Sequence, residues 1–303
     1  MKTKNKILVA LDLEEQAMIA LQYAVNYAEK LNFEIEAITV LEESSMLSKI
    51  LSTDELVVKL NKEIKDKVDA AIAPFLKRIK INSTIAYGKP YEKIVEHATK
   101  IKPSFILMGK SEISKKNSAV LGSNCMHVIL EAGFPVITVR GDFDLKIYNK
   151  DHKEILLPLD LKKGISEQVT AAIAFAQLLK TSIRVISIQT SGGKGREAKM
   201  LTQIAQTKKT IIDAGIECVA EIIDKTDKSV TELICEEAIK CKAAMIVIMT
   251  RSENRITEFI IGSKAFDIIN SSNLPVMSIQ PWNPETGSDV FSVIFDPLNI
   301  INK

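Results

Sequence analysis

Gly122-Ser123 recurs as Gly262-Ser263 and Pro135 as Pro275, each pair separated by 140 positions (262 − 122, 263 − 123, 275 − 135). Asp12, at the end of an apolar run, recurs as Asp160 after a similar run, 148 positions on (160 − 12). Fixed offsets through several landmarks mean that one unit is written twice, so the fold must be one that each half can build by itself. The expected domains are 1–141 and 153–281. A polar linker from Gly141 to Lys153 joins them, and a tail, 282–303, follows.

Within each half, apolar runs alternate with stripes of helical period. Lys6 to Leu11 reads as a strand buried on both faces. Ala17, Leu21, Ala24, Ala28 and Leu31 recur at spacings of three and four, which predicts an amphipathic helix. Strands are expected at Glu34–Leu41, Ile81–Tyr87, Ser104–Met108 and Pro135–Arg140. Between them, helices are expected over Asp54–Ile79, from Pro90 through Ile101, and over Gly122–Ala132. The second half repeats the order, with strands Glu154–Leu159, Ile183–Gln189, Cys218–Ile223, Ala244–Met249 and Pro275–Gln280. Strands separated by helices give parallel crossovers, hence an α/β fold with an open, doubly wound sheet in each half. Ligands of such sheets sit at the carboxyl ends of the strands, where the strand order reverses.

Charge excludes several function classes. Lys and Arg number 40 against 38 Asp and Glu, a net charge of +2, which gives no field to gather nucleic acid or an anionic membrane. The four cysteines form no CxxC pair and the three histidines are scattered, so reduced thiols in a cytoplasmic protein are expected rather than a zinc site. The run Ile7–Leu11 is too short for a signal-peptide core, and no apolar stretch approaches the roughly 20 residues of a membrane span.

The residues just after the strands carry the chemistry. Asp12 ends the first strand and Gly109 the fourth. A polar loop with Lys115 and Lys116 leads to Gly122-Ser123-Asn124 at a helix start. Glycines admit a close anion, and free N–H groups at a helix start point at it along the helix dipole. Asp12 can accept hydrogen bonds from ribose hydroxyls. The same residues also fit a plainer role, because Gly and Ser are ordinary N-cap residues and Asp an ordinary turn residue. His97 and His127 read as packing or surface residues of their helices. Ser191-Gly-Gly-Lys-Gly195 looks like a phosphate loop but lacks the G-x4-GK-[ST] order, and reads as a flexible loop.

In order, ILVALD (7–12), Gly109, Gly122-Ser123 and PVITVR (135–140), then ILLPLD (155–160), Gly262-Ser263 and PVMSIQ (275–280), resemble the universal stress protein family, twice over. The resemblance implies two Rossmann-like domains of the adenine nucleotide alpha hydrolase-like kind in tandem. It also implies an ATP site, with Mg²⁺ where nucleotide is bound, and a regulatory role in stress response. Carried over by position, Asp12 meets the adenosine, the backbone at Val40 holds the base, and Gly109, Gly122, Ser123 and Asn124 hold phosphates. It further implies that the last strands, Pro135–Arg140 and Pro275–Gln280, pair as an intrachain pseudo-dimer, with a homodimer and an unidentified protein partner as further expectations.

Two departures weigh against nucleotide. Glu112 and Glu253 stand for the second motif glycine and Thr250 for the first one of the second half. A carboxylate beside a polyphosphate costs about 1–3 kcal/mol at an effective dielectric near 20, which is roughly tenfold to a hundredfold in affinity. The first half is therefore expected to hold the site and the second to be its structural partner. The alternative is a nucleotide-independent scaffold with vestigial sites in both halves. No nucleophile–base pair, carboxylate dyad or metal cluster is legible, so catalysis is not expected.

Overall fold

A computed structural model describes residues 5–42, 54–110, 121–141, 154–161, 165–190, 194–250 and 261–280. They divide into two compact units, the first ending at Gly141. The linker residues 142–153, the tail and its Val290–Phe295 run lie outside the described residues, as do Glu112, Lys115, Lys116 and Glu253.

Unit 1 runs β1 (Lys6–Ala10), α1 (Glu15–Leu31), β2 (Glu34–Leu41), α2 (Asp54–Ile72), β3 (Ile81–Tyr87), α3 (Pro90–Ile101), β4 (Phe105–Gly109), α4 (Ser123–Glu131) and β5 (Val136–Val139). Unit 2 repeats it as β6 (Glu154–Pro158), α5 (Ser166–Leu179), β7 (Ser182–Gln189), α6 (Lys194–Asp213), β8 (Cys218–Asp224), α7 (Val230–Lys240), β9 (Ala243–Met249), α8 (Ser263–Ser271) and β10 (Val276–Ile279). Every strand pair within a unit is parallel. The order is β3-β2-β1-β4-β5 in unit 1 and β8-β7-β6-β9-β10 in unit 2. The order reverses between β1 and β4, and between β6 and β9, so each unit opens a crevice there.

The central strands explain why the apolar runs are continuous rather than alternating. Ile7, Leu8 and Val9 of β1 and Ile155, Leu156 and Leu157 of β6 are fully buried, because helices cover both faces. The helix expected through Ile79 instead stops at Ile72 and passes into a short 3₁₀ turn, Ala73–Phe75. Pro74 is the cause: it has no N–H to donate and its ring crowds the preceding turn. Of the loop expected at Ser191–Gly195, Lys194 and Gly195 instead belong to α6, and the other three residues lie outside the described residues. Glycine costs little in a first turn, where backbone N–H groups lack partners in any case.

At the amino ends of the strands, away from the crevice, Glu36 accepts hydrogen bonds from Lys6 (2.7 Å) and Asn82 (2.9 Å). His97 of α3 packs beside this cluster with its Nε2 buried and unpartnered among the described residues. Burial holds the imidazole below its usual 6.5, against the pull of Glu36. Burial alone would raise the Glu36 carboxyl, but the bonds from Lys6 and Asn82 outweigh it and hold the group below its usual 4.5. In both cases the unfolded chain takes up the proton first on acidification. Stability is therefore expected to fall below pH 6.5 as His97 becomes charged in the unfolded state, with a second loss below 4.5 from Glu36. In His97→Leu, urea midpoints measured across the upper window should lose that first slope; an unchanged slope would assign it to other groups.

Candidate functional site

The turn after the first strand is built the same way in both units. Leu11 N donates to Ile38 O and Thr39 Oγ1 to Leu11 O, at 2.8 and 2.7 Å. At the positions 148 residues on, Leu159 N donates to Ile186 O and Ser187 Oγ to Leu159 O, at 2.8 and 3.0 Å. These bonds tie the end of the first strand to the second and aim the following aspartate out of the sheet edge. Asp12 is exposed there, and its Oδ1 accepts from Glu14 N at 3.0 Å. Leu13, between them, has φ 68°, a left-handed conformation rare for a branched residue. The plain turn role of Asp12 is thus real, yet it occupies only one carboxylate oxygen.

Gly109 ends β4, next to β1, so it and Asp12 lie at adjacent strand ends. Val40 lies near the end of β2 and pairs with Ala86. Gly122 is the N-cap of α4 with φ −60° and ψ 147°, and no side chain caps the helix. Gly262 caps α8 in the same way. Both helix starts therefore keep N–H groups for another acceptor.

The glycine at 109 has a structural cause. A Cβ built there would lie 2.4 Å from the carbonyl carbon and oxygen of Gln16 and 2.9 Å from Ala17 N. The first turn of α1 thus rests on the bare backbone of β4. In unit 2 the position corresponding to Gly109 is Met249, not Thr250. Gly109 pairs with Val139, and Met249 pairs with Ile279, each the last residue of its neighbouring strand. Likewise Lys110 N donates to Val139 O and Thr250 N to Ile279 O, so Thr250 matches Lys110. Thr250 is buried, with its hydroxyl donating to the Ile279 carbonyl at 3.2 Å. The same offset sets Ser252 rather than Glu253 against Glu112, all three outside the described residues. In unit 2, α5 starts at Ser166, which the 148-residue offset matches to Met18, three residues into α1, so no described helical turn corresponds to the one that rests on Gly109.

Unit 2 has a half-open cavity of about 820 Å³ at its strand ends. The six sequence-predicted residues, Asp12, Val40, Gly109, Gly122, Ser123 and Asn124, correspond to Asp160, Ile188, Met249, Gly262, Ser263 and Lys264. All six of those counterparts line that one cavity. Its volume suits a small molecule and its walls are largely aliphatic. Lys199, Met200 and Gln203 from α6, and Val230 and Ile234 from α7, complete it. Sequence reasoning did not single these five out. Their signal is faint: they sit on ordinary helical stripes, and only the crossover geometry turns them toward the strand ends.

Other chemistry-bearing groups stand apart. Lys110, at the end of β4, is 1% exposed, and the Cys125 thiol near it is pushed up to about 12 by burial, with Lys110 opposing. Cys218 and Cys241 are pushed up to about 11 by burial, and all four cysteines are free thiols. His127 Nδ1 lies 2.8 Å from Glu131 Oε1, and its ring stacks on Tyr91 at 4.4 Å, a packing contact between α4 and α3. Among the described residues no group of three or more His, Cys, Asp or Glu side chains converges to hold a metal. No helix among them is long and apolar enough to cross a membrane.

Comparison with known proteins accords with this geometry. The model of the universal stress protein family matches the chain twice, over residues 4–140 and 152–280. Universal stress protein MJ0531 of Methanocaldococcus jannaschii is 28% identical over 139 residues, covering 45% of this chain and 82% of the relative. The crystal structure of a universal stress protein from Archaeoglobus fulgidus DSM 4304 aligns with a TM-score of 0.71 at 22% identity, covering 92% of this chain and 99% of that one. A putative universal stress protein from Pseudomonas aeruginosa UCBPP-PA14 aligns at 0.59 and 15% identity, over 97% of each chain. At such identities the solved structures speak for the fold alone, whereas the family match covers both halves in order. The chain belongs to the universal stress protein family, with two copies of that family's domain in tandem.

Proposed function

We propose that this protein binds an adenine nucleotide at the carboxyl ends of its parallel strands and acts in the cytoplasm as a regulator, by binding rather than by catalysis. One observation carries the reading: the unit 2 counterparts of all six residues chosen for nucleotide binding converge on a single cavity. In unit 1 the roles follow from position. The free N–H groups of Gly122, Ser123 and Asn124 meet phosphate oxygens. The open Asp12 oxygen accepts from ribose hydroxyls, and the Val40 backbone meets the base edge. Mg²⁺, where it binds, fits as a passenger of the phosphates, since no group of three or more His, Cys, Asp or Glu among the described residues converges to hold it.

A scaffold reading has its own support. Packing of α1 on β4 accounts for Gly109 with no ligand at all. Titration calorimetry with ATP and Mg²⁺ separates the two. Heat saturating below millimolar ligand, and lost in Gly122→Val, is the expected result; no heat below millimolar in the wild type would leave the scaffold. If Glu112 weakens phosphate binding, Glu112→Gly should tighten ATP about tenfold or more.

A further inference from the structure

We propose that β3 of unit 1 is an interaction surface for a second copy of this chain, the two strands pairing antiparallel about a two-fold axis at Thr84.

β3 is the outer strand of unit 1, and among the described residues it pairs with β2 alone. The ladder fixes which main-chain groups are left over. Ile35 N donates to Lys80 O and Gly88 N to Leu41 O, so the even-numbered residues of β3 turn their N–H and C=O toward β2. Ile81, Ser83, Ile85 and Tyr87 turn theirs outward, where they meet no partner. The strand is INSTIAY, seven residues with no charge, proline or glycine, so it carries none of the usual guards of an open edge. The flanking lysines do not guard it either, because each is paired within its own copy. Lys80 holds Glu34 at 3.1 Å and Lys89 holds Glu92 at 2.9 Å.

The outer strand of unit 2 shows what a guarded edge looks like in this chain. Ile183 N donates to Glu217 O and Lys225 N to Gln189 O, so β8 turns Cys218, Ala220, Ile222 and Asp224 outward. Paired over its full length with its own copy, β8 would set Glu221 opposite the same residue of the second chain. Like charges placed so destabilise a sheet. In the same arrangement β3 sets Thr84 opposite Thr84 and Ile81 opposite Tyr87, and both are favourable cross-strand pairs. The four outward residues of each copy then exchange about eight main-chain hydrogen bonds. Moving the axis to Ser83 or Ile85 leaves one of the four without a strand partner, so Thr84 is the centre.

The apolar surface points to the same edge. Among the described residues of unit 1, the large apolar side chains left exposed are Val58, Leu76 and Tyr87. They belong to α2, to the end of the 3₁₀ turn after it and to β3, and α2 packs on β3. Apolar area beside an open strand edge is what a paired copy removes from water.

Sedimentation of the full chain over a concentration series reads the association, and amide exchange followed by NMR reads the edge. A reversible dimer is expected. Its formation should slow exchange at Ser83 and Ile85 about tenfold or more, while Thr84 and Ala86, bonded to β2, stay slow throughout. Thr84→Lys and Thr84→Glu should each weaken the dimer about tenfold, and an equimolar mixture of the two should restore it, since lysine then faces glutamate. Should either variant fail to fold, Tyr87→Lys, at the exposed end of the strand, should weaken the dimer by a similar factor. A monomer at every concentration, with fast exchange at Ser83 and Ile85, would overturn the proposal. So would a dimer indifferent to charge at 84 and 87, or a mixture that stays as weak as its components. A monomer in which Ser83 and Ile85 already exchange slowly would assign the edge to another segment of the chain, the tail 282–303 included, and would overturn it as well.

Discussion

Gly109→Ala should destabilise unit 1 by about 3 kcal/mol, and Gly109→Val by more, whatever ligands are present. A Cβ at this position meets main-chain atoms of Gln16 at 2.4 Å, a full ångström inside ordinary contact. Because those atoms belong to the first turn of α1, no rotamer change relieves the clash. Either α1 lifts from β4, exposing residues such as Ala17 and Leu21 that are now buried, or the end of β4 separates from β5. The informative control is Gly122→Ala. Gly122 has φ −60° and ψ 147°, which any residue can adopt, so the loss there should stay near that of an imperfect N-cap, about 1 kcal/mol or less. Urea unfolding followed by circular dichroism, without nucleotide, measures both. If Gly109→Ala leaves the midpoint unchanged, the helix does not depend on a bare strand end, and a ligand would be the better reason for the glycine.

This double meaning of glycine marks where the sequence stops being readable. A glycine that lets a phosphate approach and one that lets a helix approach look alike in one dimension. What separates them is the crossing of α1 over β4, where Gln16 and Gly109 meet from 93 residues apart in sequence (109 − 16). The duplication, the strand and helix order and the parallel sheets were legible, since each rests on local periodicity and fixed offsets. The identity of the residue facing Gly109 was harder. The apolar run of β4 ends at Met108, whereas that of β9 continues through Met249, one residue further along the offset. Reading from the end of the run selects Thr250; the ladder selects Met249. The Thr250 argument against unit 2 came from that one-residue slip, and the cavity-lining residues of α6 and α7 gave no local signal that distinguishes them from core.

The two units also solve one electrostatic problem with opposite signs, and this leads to the second large effect. Lys6 and Glu36 form a pair across β1 and β2 at 2.7 Å, with Asn82 of β3 as third member. At the positions 148 residues on stand Glu154 and Arg184, paired at 2.8 Å, with Glu221 of β8 as third member. The backbone frame is the same, since Leu8 lies opposite Glu36 and Leu156 opposite Arg184. The fold therefore requires a pair at these two positions but not a particular polarity. Lys6→Glu should cost about 2–4 kcal/mol, because it sets a second carboxylate against Glu36, whose side chain is only 9% exposed, and removes its main partner. Adding Glu36→Arg rebuilds in unit 1 the polarity that unit 2 already uses, with Asn82 turning its amide oxygen toward the guanidinium. The double variant should return to within about 1 kcal/mol of the wild type, a coupling energy of several kcal/mol in the double-mutant cycle. Were the two single losses simply to add, the reversed pair of unit 2 would owe its stability to Glu221 rather than to the shared frame. Glu221→Gln, made in parallel, measures that third contact directly: if the shared frame carries the pair, its loss should be smaller than that of removing the Arg184–Glu154 bond.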